Sequence, residues 1–221
     1  MATVAMRRTK PVLRTLADLL ERLGNVPLER VRLQPPPGTA TEKDVIAAWS
    51  GLDRRLCELV QGTLVEKTVG TKEAVVATLV CHFLWKYLDK HDLGLALGAD
   101  GMFRLKIGLV RIPDAAFISW DRLPEGKLSD EAIAKRIPEL AVEVLSPSNT
   151  PKEMALKLDD FFNAGVKLVW LIYPKTETAE EYTSRTDCRQ VTSTQSLEGH
   201  DVLPGFRLPL KKLFARTRRR G

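Results

Sequence analysis

Two carboxylates stand where ordinary surface charges are poor choices. Glu143 lies inside the apolar run Leu140, Ala141, Val142, Val144, Leu145. Asp114 follows Ile112-Pro113 and precedes Ala115, Ala116, Phe117 and Ile118. A carboxylate in such a strand is costly to bury unless it is paired or binds a metal. Two carboxylates on neighbouring strands can share one hard cation, as Mg2+ is commonly held beside phosphate oxygens. Such an ion activates water and stabilises charge developing on phosphate. The competing reading for Glu143 is an ion pair with a buried Arg or Lys. For Asp114 it is a turn or cap position.

Lys157 lies on the helical segment that follows the Glu143 strand. Glu153 and Lys157 are one turn apart and can pair on one helical face. Lys157 either points back to the carboxylates, to hold the attacking water or the scissile phosphate, or forms a surface salt bridge worth about 0.3–0.5 kcal/mol. Glu73, near the start of another helical pattern, is a further candidate as a metal-shaping carboxylate. It also suits a plain helix N-terminal charge.

The elements that must position these residues follow from periodicity. Leu13, Leu16, Leu19, Leu20 and Leu23 recur at helical spacing within 11–23, and Gly24 can end that helix. The Pro-Pro-Pro-Gly run at 35–38 reads as a linker, which makes 1–40 an appendage. Thr41 and Asp44 form a capping-box pattern. "LCELV" and "TLVEK" alternate around Gln61-Gly62 as a hairpin. Residues 71–91 carry the longest helical pattern, with Val75, Leu79, Phe83 and Tyr87 on one face. "GLALG", "MFRLK", "GLVRI" and "DAAFIS" read as strands, with a loop over 121–138. "ELAVEVL" is a buried strand. Thr150-Pro151 opens a helix that stops at Gly165, and "KLVWLIY" is a second continuous apolar strand. Edge strands and turns fill 174–210. The pattern is an α/β or α+β fold, a mixed sheet with flanking helices.

Composition narrows the classes. Hydrophobic residues make up 44% of the 221, enough for a buried core. No apolar run approaches the roughly 18 residues that span a bilayer, so a cytoplasmic protein is the default expectation. Cys57, Cys81 and Cys188 are odd in number and widely spaced, which speaks against a disulfide framework or zinc site. The formal charge is +6, and residues 211–221 hold six basic residues and no acidic one. Removing them from 34 basic and 28 acidic residues leaves 28 of each. The excess thus sits in a tail that is either simply solvated or able to touch nucleic-acid phosphate.

Four ordered blocks, "ELVQGTLVEKTVG", "VRIPDAAFIS", "LAVEVLSPSNTPKEMALKLDDFFNAGVKLVWLIYP" and "DVLPGF", resemble the Uma-type restriction endonucleases of the PD-(D/E)XK nuclease superfamily. The resemblance runs from about residue 41 to 214, leaving 215–221 as a basic tail. Its Pro-Asp motif falls on Pro113-Asp114 and its glutamate on Glu143. The superfamily's usual lysine, two residues further on, is replaced by Leu145. The Uma-type pattern has a lysine on the next helix instead, matched by Lys157, with an acidic residue one turn earlier, matched by Glu153. Many members carry a histidine near the start of the long helix, where Glu73 is the nearest polar candidate.

The resemblance implies a restriction-endonuclease-like core that hydrolyses DNA phosphodiester bonds. Asp114 and Glu143 would hold Mg2+ (or Mn2+) with the Val144 carbonyl, and Lys157 would position the water. The sequence gives no oligomeric state, although two-fold dimers are the commonest closed assemblies and a homodimer would suit cleavage of both strands. A nucleic-acid- or partner-binding module that keeps the fold without catalysis, and an inert homo-oligomer, are the competing readings.

Overall fold

The structure, a computed structural model, describes residues 13–68 and 70–217. The elements run α1 (Leu16–Arg22), α2 (Glu42–Ser50), β1 (Cys57–Val60), β2 (Thr63–Glu66), α3 (Thr71–Leu88), β3 (Gly94–Leu97), β4 (Phe103–Lys106), β5 (Leu109–Arg111) and β6 (Ala115–Ser119). There follow β7 (Leu140–Val144), α4 (Pro151–Ala164), β8 (Leu168–Tyr173), β9 (Thr178–Tyr182), β10 (Cys188–Val191), β11 (Ser196–Glu198), β12 (Arg207–Pro209) and α5 (Leu210–Ala215). The fold is α+β, a mixed sheet flanked by helices, as the patterning predicts.

The main sheet has the order β10-β9-β8-β7-β6-β3. Only β7 and β8 pair in parallel. A parallel pair needs a crossover, and α4 supplies it. Thr150 caps α4, Pro151 takes its first turn, and Gly165 ends it at φ 97°. A positive φ there suits glycine. Val142, Val144, Trp170 and Ile172 pack with α3 and α5 on one face of the sheet. Ala141, Val169 and Leu171 pack with Met154 and Phe161 of α4 on the other. Alternation therefore puts Glu143 on the α4 side, with Ala141.

A second, antiparallel sheet has the order β2-β1-β5-β4. Gln61 (φ 52°) and Gly62 (φ 74°) make the β1–β2 turn, both left-handed as a tight hairpin of this hand requires. Between β5 and β6 the chain leaves this sheet for the main one. The crossing point is Ile112-Pro113-Asp114, so Pro113 sits at a strand end and needs no ladder partner.

Three expectations are corrected. Residues 13–40 are packed against the β1–β2 hairpin and are no loose appendage. Leu19, Leu23, Val26 and Val31 bury with Val60 and Val65, whose apolar outer face needs a cover. The Gly38 and Ala40 N–H groups donate to the Gly62 carbonyl, each at 2.8 Å. The buried stripe of α3 is Val76, Val80, Phe83 and Leu84, while Val75 is 41% exposed. Aliphatic residues on adjacent stripes let the sheet select a face one residue from the expected one. Finally, Leu210, Leu213 and Phe214 are buried, so the charged stretch from 211 begins as a packed helix. Lys212 and Arg216 lie over the Phe83 ring, each 5.3 Å from its centre. Residues 1–12 and 218–221, which carry the start of the expected first helix and the last arginines, lie outside the described residues.

Candidate active site

Asp114 leads into β6, and its N–H donates to the Val142 carbonyl at 2.8 Å. Glu143 is the fourth residue of β7. Because β6 and β7 run antiparallel, both carboxylates come to the same end of the sheet. The Val144 N–H donates to Asp114 Oδ2 at 2.6 Å, which ties the two strands at that point. Lys157 projects from α4, with Nζ 3.0 Å from Glu143 Oε2. Asp114, Glu143 and Lys157 are thus brought together, and all are buried, at 7%, 4% and 2% exposure. The surface salt bridge considered for Lys157 is not what forms.

Two residues missed in the sequence complete the cluster. Glu58 of β1 is 1% exposed, and its Oε1 lies 3.1 Å from Lys157 Nζ. It also accepts from the Ile112 N–H at 3.1 Å and from Arg111 Nη1 at 2.7 Å. Lys67, just past β2, places Nζ 2.8 Å from Asp114 Oδ1 and donates to the Ala99 and Ile112 carbonyls. Arg111 in turn pairs with Asp160 at 2.6 Å. Four carboxylates (Glu58, Asp114, Glu143, Asp160) therefore face three cations (Lys67, Arg111, Lys157). Glu143 Oε1 is buried with no hydrogen-bond partner.

The electrostatics follow from that imbalance. Burial, opposed by Lys157 and reinforced by the charges of Asp114 and Glu58, pushes Glu143 up to about 7. Burial also works against ionising Glu58, but Lys157 and Arg111 win and hold it down to about 2. Burial disfavours the Lys157 charge too, yet Glu143 and Glu58 raise its pKa above the ordinary lysine value. Lys157 is an ammonium at neutral pH.

The donor set suits a hard divalent cation. Glu143 Oε1 is free, each Asp114 oxygen carries one hydrogen bond and keeps lone-pair capacity, and the cluster has one negative charge in excess. Among the described residues no group of three or more His, Cys, Asp or Glu is arranged to hold a metal. Mg2+ does not require one, since one or two carboxylates with water and phosphate suffice.

Glu153 and Glu73 stand elsewhere. Glu153 does not pair with Lys157. Its carboxylate takes both Arg30 Nη atoms, at 2.7 and 3.0 Å, and Asn149 Nδ2 at 3.2 Å. Arg30 also donates to the Glu66 and Ser148 carbonyls, so it laces the N-terminal segment to β2 and to the turn after β7. Glu73 is half-buried in the first turn of α3, its carboxylate lying where a Cβ on Gly70 would be. No hydrogen bond or ion pair joins it to Asp114 or Glu143. Val144 brings its N–H to Asp114, while its side chain belongs to the core.

The architecture is of the α+β type, a mixed sheet flanked by helices. The family model of Uma2, described as "Putative restriction endonuclease", matches residues 51–211, and the chain belongs to that family. A solved structure described as a "putative nuclease belonging to DUF820" from Anabaena variabilis ATCC 29413 superposes with a TM-score of 0.63 at 17% identity. The match covers 73% of this chain and 90% of that one, and at this identity the likeness concerns the fold. No curated protein gives a match. Among the described residues no helix is long and apolar enough to cross a membrane.

Proposed function

We propose that this protein is a Mg2+-dependent endonuclease that hydrolyses DNA phosphodiester bonds. The observation that carries the reading is the buried Glu143 Oε1, left without a partner beside Asp114 and the Lys157 ammonium. Asp114 and Glu143 would hold the ion, with the Val144 carbonyl a third candidate ligand. When bound, the ion supplies a water of lowered pKa and charge to balance the phosphate. Lys157 orients water or a phosphate oxygen through its N–H groups and lends positive charge. Its raised pKa makes it a donor here and not the proton acceptor. Glu58, fixed by Arg111 and Ile112, holds Lys157 in place.

Glu143→Gln and Asp114→Asn keep shape and remove charge. Each is expected to abolish Mg2+ binding by isothermal titration and to lower plasmid nicking by on the order of 10²–10³-fold. Unchanged nicking in either variant would remove that residue from the site. Lys67 favours a second reading, because its ammonium already neutralises Asp114. In that case the protein binds nucleic acid without metal, and wild type would show salt-sensitive DNA binding but no Mg2+ heat.

Metal and proton compete for Glu143. With its carboxyl pushed up to about 7, Mg2+ must displace a proton below that pH. Apparent Mg2+ affinity should fall by up to about tenfold per pH unit below pH 7 and level off above it. Titrations between about pH 5.5 and 8.5, in buffers of different ionisation heat, read both the affinity and the proton released. An affinity independent of pH across that range would exclude Glu143 as a ligand.

A further inference from the structure

Beyond the carboxyl ends of β7 and β8 lies a crevice of about 880 Å3. Ligands of open α/β sheets settle at such strand ends. This crevice is lined by chain neighbours of the candidate-site residues and by none of Asp114, Glu143 and Lys157 themselves. Leu145 is two residues past Glu143, and Met154 and Leu158 flank Lys157 on α4.

The opposite wall carries polar groups that the cleavage chemistry does not use. Tyr173 and Tyr182 both donate their hydroxyls to Glu180 Oε2, at 2.8 and 2.9 Å. Gln190 Nε2 donates to Glu180 Oε1 at 2.8 Å. Among the described residues no cation pairs with Glu180. A carboxylate has about four acceptor positions, so about one remains, on Oε1. The shared acceptor fixes both tyrosine side chains, which are part-buried, pack on the α4-side core and line the crevice. Lys72 and Lys175 stand exposed at the rim; Lys72 donates to the Pro174 carbonyl, and Lys175 has no hydrogen-bond or ion-pair partner among the described residues.

A planar ring with N–H donors, joined to an anion, matches this wall. Its faces suit the aromatic surface, its donor edge suits Glu180, and its anion suits the rim ammoniums. We propose that the crevice is a nucleobase-binding subsite, taking a base unstacked from the substrate strand next to the cleaved phosphate. The assignment to a substrate strand rests on the nuclease reading; the base site itself does not. An acceptor-only Glu180 favours bases with an exocyclic amino group over thymine.

The test is calorimetric titration of the full chain, without metal, using 2′-deoxyadenosine 5′-monophosphate, thymidine 5′-monophosphate and 2-deoxyribose 5-phosphate. The adenine nucleotide should bind about tenfold more tightly than the sugar phosphate, which lacks a base to stack. The thymine nucleotide should fall between them. Glu180→Gln should erase the preference for adenine over thymine. Lys175→Ala, a surface change that leaves packing intact, should weaken both nucleotides alike by a few-fold. Sugar phosphate binding as tightly as nucleotide would overturn the proposal and leave a phosphate site only. Nucleotide affinities equal to wild type in both variants would overturn it as well. No cleavage enters this assay. Failure of the nuclease reading leaves the base site standing, and failure of base binding leaves the nuclease reading standing.

Discussion

Lys157→Met is expected to destabilise the protein by about 3–5 kcal/mol at pH 8 and by much less at pH 5, and, on the proposed nuclease reading, to end DNA nicking. The substitution fills the same space but leaves Glu58 and Glu143 without their shared cation, both buried. Removing one partner of a buried pair is the costly change: Glu58 keeps Arg111, but Glu143 is left buried without its ion-pair partner. The pH dependence follows from what those carboxylates can then do.

In the wild type the two shifts oppose each other. Glu58, held at about 2, contributes stability that is present above its ordinary 4.5 and lost as pH falls towards 2. Glu143, raised to about 7, costs stability as pH rises from 4.5 through 7. In the variant both carboxylates move upward. The folded state then binds more protons than the unfolded one, and stability falls as pH rises. At pH 5 protonation relieves the cost, and at pH 8 it cannot. Urea unfolding of both proteins at the two pH values checks this. A deficit equal at both pH values would mean that lost packing, not stranded charge, is what the substitution costs.

The same pair explains what the sequence could and could not disclose. Glu143 was legible because its neighbours are apolar on both sides in a strand too continuous to face water. The caps of α4 at Thr150, Pro151 and Gly165 were local signals, and they fixed where Lys157 would start from. Glu58 carries the signal of Glu143, a charge among Cys57, Leu59 and Val60. It was hidden because a hairpin strand alternates, and Glu58 falls on a phase that usually meets solvent. Here β1 lies inside its sheet, between β2 and β5, and Lys157 and Arg111 reach it. Lys67 reads as an ordinary solvated residue at a strand end. Its partners, the Ala99 and Ile112 carbonyls and Asp114, come from 32 or more residues away. α5 was missed for another reason. Six residues after Pro209 are too few for periodicity to register, and flanking lysines and arginines mask Leu210, Leu213 and Phe214.

Glu153→Ala should be as damaging to stability as any change at the candidate site, about 3–5 kcal/mol, while a paired replacement should be nearly neutral. Glu153 holds Arg30 through two bonds across 123 residues, and both side chains are buried. Alanine leaves the guanidinium stranded. Arg30→Met with Glu153→Met removes both charges and keeps the volume apolar, which buried pairs often tolerate. The single and double variants form a cycle whose coupling, read by urea unfolding, should reach about 3 kcal/mol. Nicking separates structure from chemistry. The resemblance to the Uma-type pattern places an acidic residue one turn before the helix lysine, which would make Glu153 part of the reaction. The observed contacts make it a clamp, joining the N-terminal segment to the turn that follows Glu143. If the clamp is its whole role, the double variant folds and nicks at the wild-type rate per folded molecule. If the double variant folds as stably as wild type but has lost nicking, Glu153 acts in the reaction and the clamp is secondary.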